Sequence, residues 1–164
     1  MSRYQLAQLN IAAMQAPLDS PELKDFVDNL DRINALAESS PGFVWRLVGD
    51  GNDATSLRPL GDNVLVNMSV WRDAAALRDY VYRSAHSEIM RRRREWFTRM
   101  GQPYLVLWWV SAGHQPTIAE AVARLTLLRA NGPSREAFTF AEAFSAPDAD
   151  QAAERSSFTD TCPV

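Results

Sequence analysis

Cysteine is almost absent from this sequence of 164 residues, in which Cys162 stands alone. A single thiol cannot form an internal disulfide bond, and it cannot supply the several thiolates of a typical zinc or iron–sulfur site. Histidine is also scarce, since His86 and His114 are the only two and lie far apart in the chain. We therefore expect no metal site, and a reducing compartment, the cytoplasm, as the location.

Long apolar runs and an excess of positive charge are missing too. No stretch approaches the roughly 18 apolar residues of a membrane-spanning helix, and the first residues lack the pattern of a secretory signal. The formal net charge is -3 at pH 7, whereas general nucleic-acid binders are usually basic. Phosphate-cradling glycine loops and the G-x-S-x-G and H-E-x-x-H motifs are absent. We expect neither a membrane nor a nucleic acid as partner, and neither nucleotide-dependent nor hydrolase chemistry.

Hydrophobic periodicity predicts a single domain over residues 1–144. Period-two alternation or short apolar runs predict strands over the segments 4–14, 43–48, 63–71 and 104–111, with a candidate fifth strand at 137–144. Helical spacing predicts helices that start after Ser20, Asp73 and Thr117, and a further helix over 85–100. Residues 145–164 are small, polar and acidic, which predicts a flexible C-terminal tail.

The order of these elements is β-α-β-β-α-β, followed by one more helix. This is the order of the ferredoxin-like split β-α-β fold, an α+β class with an antiparallel sheet and helices on one face. The last helix is too short to cover the other face of a four-stranded sheet alone. We therefore predict a homodimer in which two sheets face each other.

Several segments together resemble a known family. The most specific is 107–116, which reads L-W-W-x-x-x-G-H-x-P, and S-x-W at 69–71 and R-R-E-W-F at 93–97 accompany it. With these segments the chain resembles domain-of-unknown-function family 3291 over about residues 4–144. The resemblance implies the dimeric α+β barrel (antibiotic-biosynthesis-monooxygenase-like) superfamily, which holds cofactor-free monooxygenases, haem-degrading enzymes and isomerases. It implies no settled activity, because a shared fold does not transfer chemistry.

His86 is the first candidate catalytic residue. It shares a face of the predicted 85–100 helix with Met90, Arg93 and Phe97, at three- and four-residue steps. On that face a histidine would look towards the sheet, where a ligand could lie. It could serve there as a general acid or base, as an axial haem ligand, or as a structural residue bonded to a backbone carbonyl.

Arg93 and Asn67 are the candidates for stabilising negative charge. A buried guanidinium at Arg93 needs either a carboxylate partner or an anionic ligand. Asn67 shares a strand face with Ser69 and Trp71, and polar groups on an apolar sheet face often mark a ligand site. Internal hydrogen bonds or dimer contacts would explain that face equally well. In the catalytic hypothesis, His86 moves a proton and Arg93 or Asn67 stabilises the substrate oxygen.

An aromatic-rich pocket for a small, largely apolar compound is the predicted binding site. Five tryptophans are available to wall it, although such residues belong more often to a core. His114, in the turn after the fourth strand, could border the pocket or hold the turn. The predicted substrate-binding residues are Trp71, Tyr82, Met90, Phe97, Asn10, Trp108 and His114.

Three functions stay open from the sequence. The first is a cofactor-independent monooxygenase, isomerase, cyclase or lyase that acts on this compound. The second follows from the resemblance to haem-degrading relatives, which implies haem with His86 as axial ligand and with Asn10 and either Tyr80 or Tyr82 beside it. The third is a protein that binds a small molecule without converting it.

Overall fold

Five antiparallel strands form one sheet in the computed structural model, which describes residues 2–84 and 86–149. The long strand β1 (Tyr4–Met14) is central. It pairs on one side with β3 (Val64–Trp71), which pairs in turn with β2 (Phe43–Arg46). On its other side β1 pairs with β5 (Leu105–Ser111) and, at its end, with the short β4 (Phe97–Thr98). This order confirms the predicted ferredoxin-like α+β fold.

The helices begin close to the capping residues that the sequence indicated. The Asp73 carboxylate accepts a hydrogen bond from the backbone N–H of Ala76 at 2.8 Å, and the Thr117 hydroxyl accepts one from Glu120 at 3.1 Å. Ser20 makes no such cap, because its hydroxyl donates to the carbonyl of Pro17. A 3-10 turn, Pro21–Leu23, therefore comes before the first helix. The helices are α1 (Lys24–Ser39), α2 (Ala74–Arg83), α3 (His86–Arg91), α4 (Arg93–Trp96) and α5 (Ile118–Asn131).

The predicted continuous helix over 85–100 is wrong. The described part divides into α3 and α4 around Arg92, and the chain becomes extended at Phe97. Phe97 pairs with Met14 at the end of β1, and the backbone N–H of Gln15 donates to the carbonyl of Trp96 at 2.9 Å. Pairing with a distant strand end therefore overrides the helical pattern of the segment. Ala85, at the start of the predicted helix, lies outside the described residues.

The candidate strand at 137–144 is reduced to two isolated bridges, one of which joins Ala137 to Ser134. Phe138 and Leu107 exchange two backbone hydrogen bonds, of 2.8 and 2.9 Å, beside β5. The residues after Phe138 turn away and do not extend the ladder in the described part of the chain. Phe138 itself is fully buried, so its side chain belongs to the core.

The second face of the sheet is covered by the chain's own residues. Helix α5 packs Ala121, Leu125 and Leu128 against the strand residues of this face, among them Val106 and Val70, which are fully buried. Leu47 and Leu57, before and within the β2–β3 loop, pack against the same cluster. A second subunit is therefore not needed to cover this face, and the argument for a homodimer from an uncovered face does not hold. The homodimer remains a prediction on the family resemblance alone.

The described chain ends close to its own beginning. The Asp148 carboxylate accepts hydrogen bonds from the hydroxyl of Ser2 at 2.9 Å and from the backbone N–H of Arg3 at 2.8 Å. Most of the predicted tail, residues 150–164 with Cys162, lies outside the described residues. Among the described helices, none combines the length and the apolar character needed to cross a membrane.

Candidate functional site

A cavity lies between the sheet and the helices α1 to α3. Its larger part has a volume of about 470 Å³ and its smaller part about 140 Å³. The floor is made by β1 and β3, and residues 139–141 border one side. Several side chains line both parts and join them into one site, among them Asn10, Asn67, His86, Met90 and Arg93.

The structure brings together eight of the ten residues that the sequence singled out. The three predicted catalytic residues and Asn10 and Met90 line both parts of the cavity. Trp71 and Tyr82 line the larger part, and Phe97 lines the smaller one. The broken helix does not scatter them, because His86, Met90, Arg93 and Phe97 still face the sheet from consecutive short elements.

Trp108 and His114 lie elsewhere. Trp108 is fully buried on the opposite face of the sheet, in the cluster that packs under α5. His114 is in the turn before α5, where its Nε2 lies 2.8 Å from a carboxylate oxygen of Glu120. Its side chain is 47% exposed. Neither residue contacts the cavity, so both have structural roles: Trp108 in the core, and His114 as a tie between the turn and the first turn of α5.

His86 belongs to a stack of three rings on one side of the cavity. Its imidazole lies 4.8 Å from the ring of Tyr80, centroid to centroid, and Tyr80 stacks on Trp71 at 4.9 Å. The Nδ1 atom of His86 is buried and has no hydrogen-bond partner among the described residues. Burial lowers the pKa of His86, and a hydrogen bond to the Val81 backbone opposes this only in part. The imidazole is therefore neutral at neutral pH and can accept a proton.

The lowered pKa of His86 predicts acid sensitivity of the fold. The folded protein resists protonation here, whereas the unfolded chain takes up the proton as the pH falls through about 6.5. The free energy of unfolding should therefore fall from neutral pH to about pH 5 by more in the wild type than in His86→Leu. Urea unfolding across this range measures the difference, and His114→Gln is the control that retains the His86 contribution. Parallel pH profiles for the wild type and His86→Leu would contradict this account.

The floor of the cavity carries a network of amides and a hydroxyl. Nε2 of Gln8 donates to Oδ1 of Asn67 at 2.7 Å and to Oγ of Ser69 at 2.8 Å. The indole N–H of Trp71 also donates to Oγ of Ser69, at 2.8 Å. Nδ2 of Asn10 reaches Gln8 and Asn67 over longer contacts of 3.4 Å. The β1–β3 register causes this cluster, since it sets Gln8 opposite Ser69 and Asn10 opposite Asn67.

Arg93 brings a positive charge to the cavity without a carboxylate partner in the described chain. Its Nη2 donates to the carbonyl of Ile11 at 3.1 Å, and its guanidinium lies 4.5 Å from the ring centre of Tyr104. Burial lowers the pKa of Arg93, but an arginine still remains charged at neutral pH. Arg46, the other arginine of the lining, is paired with Glu38 at 2.6 Å. Among the described residues no aspartate or glutamate lines the larger part.

Sequence reasoning did not predict several residues of this lining as substrate contacts, among them Gln8, Tyr80, Asn34 and Tyr104. Gln8 lies two positions before Asn10 on β1, so strand alternation alone could have placed it on the same face. Tyr80 was considered only as a neighbour of haem. Asn34 lies on the stripe of helical spacing along α1, so that spacing could have placed it at the sheet, whereas the position of Tyr104 before β5 depends on how helix and strand pack.

The fold and its site define a ferredoxin-like α+β domain with a cavity between sheet and helices, which holds an arginine, Arg93, without a carboxylate partner in the described chain. The chain belongs to the family described as Domain of unknown function (DUF3291), whose model matches residues 5–155. No curated protein matches the sequence.

Two solved structures illustrate the fold-level likeness. SnoaB, a cofactor-independent oxygenase from Streptomyces nogalater, is 18% identical, with a match that covers 70% of this chain and 96% of SnoaB and a TM-score of 0.45. PA3566 from Pseudomonas aeruginosa is 14% identical over 70% of this chain and 98% of its own, with a TM-score of 0.47. At these identities neither structure says which residues act in this protein.

Proposed function

We propose that this protein is an enzyme that removes a proton from a small, largely apolar organic compound without a bound cofactor. One observation carries the proposal. A neutral, half-buried imidazole, His86, and an arginine without a carboxylate partner in the described chain, Arg93, line the same cavity. A base beside a positive charge is the arrangement that proton abstraction from a weak acid requires.

The chemistry follows from this pair of residues. His86 takes the proton from an O–H or an activated C–H bond, and the electron pair left behind moves onto a conjugated oxygen of the substrate. Arg93 and Asn67 donate hydrogen bonds to that oxygen and stabilise its negative charge. Return of the proton to another carbon gives isomerisation, and loss of a leaving group gives elimination. Reaction of the anion with dioxygen, the oxidant, forms a C–O bond in a hydroperoxide, and cleavage of its O–O bond with loss of water leaves a ketone, which is monooxygenase-like chemistry.

The size and the lining of the cavity favour a flat organic compound. A volume of about 470 Å³ is within the range of small-molecule sites. Trp71, Tyr80, Phe43 and Phe140 supply aromatic surface, and the polar floor is confined to one side. The superfamily that the sequence resembles holds cofactor-free monooxygenases, so oxygenation is the first of these outcomes to test.

Beta-tetralone tests the proposal, because it is a small aromatic ketone with an acidic C–H bond. We expect the protein to accelerate hydrogen–deuterium exchange at that carbon in heavy water, followed by NMR. Oxygen uptake in the same mixture distinguishes oxygenation from simple enolisation. Bound beta-tetralone without accelerated exchange would instead support a protein that binds a small molecule and does not convert it.

Haem binding is the second candidate, favoured by one observation. The residues that the resemblance associates with haem, His86, Tyr80 and Asn10, all line the larger part of the cavity. If the protein binds haem through the His86 imidazole, added hemin should give a sharp Soret shift that His86→Ala abolishes. An unchanged shift in that variant would rule out His86 as the axial ligand.

A further inference from the structure

We propose that the cavity floor is an oxyanion site whose hydrogen-bond polarity is set by Gln8, a positioning residue. The proposal rests on the proposed function and names its substrate class, a planar phenol or enolisable ketone whose oxygen becomes an anion when His86 removes the proton. Three features support it: the direction of the hydrogen bonds, the free donors that result, and the charge of the surrounding lining.

The directions of the bonds begin at Trp71. An indole N–H can only donate, so Oγ of Ser69 accepts from Trp71 at 2.8 Å. Oγ of Ser69 also accepts from Nε2 of Gln8 at 2.8 Å. A hydroxyl oxygen has two acceptor positions, and both are now used. The hydroxyl proton of Ser69 is therefore available to an acceptor in the cavity, which Ser69 lines.

The second proton on Nε2 of Gln8 fixes the neighbouring amide. It goes to Oδ1 of Asn67 at 2.7 Å, and Asn10 contacts the same oxygen at 3.4 Å. With its oxygen engaged in this way, Asn67 keeps Nδ2 as the free end of its amide. Nδ2 has no acceptor among the described residues, and Asn67 lines both parts of the cavity. Two further donors therefore remain for a ligand.

Gln8 can hold this polarity because it is only 4% exposed. Turning its amide over by itself would place a carbonyl oxygen against Oδ1 of Asn67, where two acceptors repel each other. The amides of Gln8, Asn67 and Asn10 therefore share one direction, which can change only if all three turn together. Gln8 thus needs no contact with the substrate in order to orient the group that makes one.

The charge of the lining selects an anion as the ligand. Arg93 has no carboxylate partner among the described residues, and no described aspartate or glutamate lines the larger part of the cavity. Asp53 lines the smaller part, where its carboxylate accepts hydrogen bonds from Thr55. The one unengaged acceptor of the floor network is Oδ1 of Asn10. The free donors of Ser69, Asn67 and Arg93 therefore outnumber this acceptor. An oxyanion can accept hydrogen bonds from these donors, and a flat ring conjugated to it can pack beside the stacked rings of Trp71 and Tyr80.

Competition between two probes of similar shape tests the proposal. Para-nitrophenolate carries the oxyanion, and para-nitroanisole is its neutral counterpart. At a pH where the phenol is ionised, we expect the wild type to bind the phenolate more tightly by a factor of about 10 or more, as for hydrogen bonds to charged groups. Equal affinities would overturn the oxyanion site and the roles of Arg93 and Asn67 in it, whereas proton abstraction by His86 is tested separately by the exchange of beta-tetralone. Binding of neither probe would contradict the proposed function itself.

Two variants separate the donors from the residue that orients them. Asn67→Leu removes the donor at an exposed position, and Gln8→Met removes the orienting amide without adding charge. Both should reduce the preference for the phenolate over para-nitroanisole several-fold. Gln115→Met, at an exposed residue away from the cavity, is the matched control. A full preference in Gln8→Met would show that Gln8 does not position Asn67.

A measurement on the wild type decides the case even if Gln8→Met does not fold. In nitrogen-15 correlation spectra, the side-chain amide protons of Asn67 should shift when para-nitrophenolate binds and stay in place with para-nitroanisole. Those of Gln8, already engaged with Asn67 and Ser69, should move far less. A larger shift at Gln8 than at Asn67 would overturn the assigned polarity.

Discussion

Replacing His86 with glutamine is expected to slow the exchange of beta-tetralone by a factor of about 100 to 10,000, the usual contribution of a general base. Glutamine occupies a similar volume and stays polar, but it cannot take up a proton. The wild-type rate should also fall as the pH drops through the lowered pKa of His86, because only the neutral imidazole acts as a base. NMR measures both the rate and its pH profile.

His114→Gln is the matched control for this prediction. It makes the same chemical change at a residue bound to Glu120 outside the cavity, and the exchange rate should remain at the wild-type value. Binding of beta-tetralone should survive in His86→Gln, since the aromatic lining and the polar floor are unchanged. Exchange that persists in His86→Gln at the wild-type rate would assign the proton transfer to another group.

Replacing Trp108 with alanine is expected to lower the free energy of unfolding by about 3–5 kcal/mol, the usual cost of removing a buried aromatic side chain. Trp108 is fully buried between β5 and the cluster that includes Leu125 of α5. The shortened side chain would leave a cavity that the surrounding core can fill only in part. Urea unfolding measures this loss.

Trp108→Phe separates packing from polarity at this position. The indole nitrogen of Trp108 is buried without a hydrogen-bond partner among the described residues, so phenylalanine removes an unsatisfied donor together with some volume. We expect it to retain most of the stability that alanine loses. Neither variant should change the binding of para-nitrophenolate to the folded protein. A weaker affinity for para-nitrophenolate in Trp108→Phe would instead show that Trp108 contributes to the binding site.

Local patterns were enough for most of the secondary structure and for much of the site. Alternation along 63–71 predicted β3 within one residue, and Asp73 and Thr117 were read correctly as helix caps. Helical spacing put His86 and Arg93 on one face, where the structure has them at one cavity. These signals succeed because each depends on residues only a few positions apart.

Non-local pairing decided what the patterns could not. The break of the 85–100 segment depends on Phe97 meeting Met14, which is far away in the sequence. Distant contacts also decide which of two neighbouring strand residues faces the cavity. Trp108 and Trp109 alternate on β5, and the sequence left open which face would hold the cavity. Helix α5 settles this, because it covers the Trp108 face with the chain's own residues.

The sequence by itself therefore determined the class of fold, the element order and the chemical groups available, since propensity, alternation and capping act over short distances. Only the tertiary structure decided that Gln8 meets Asn67 and Ser69, that Arg93 has no carboxylate partner in the described chain, and that the second face is closed. The physical reason is that hydrogen-bond partners and burial are set by strand register and helix packing. Strand register and helix packing join segments that are far apart in the chain, and the local sequence of one segment does not indicate which other segment it meets.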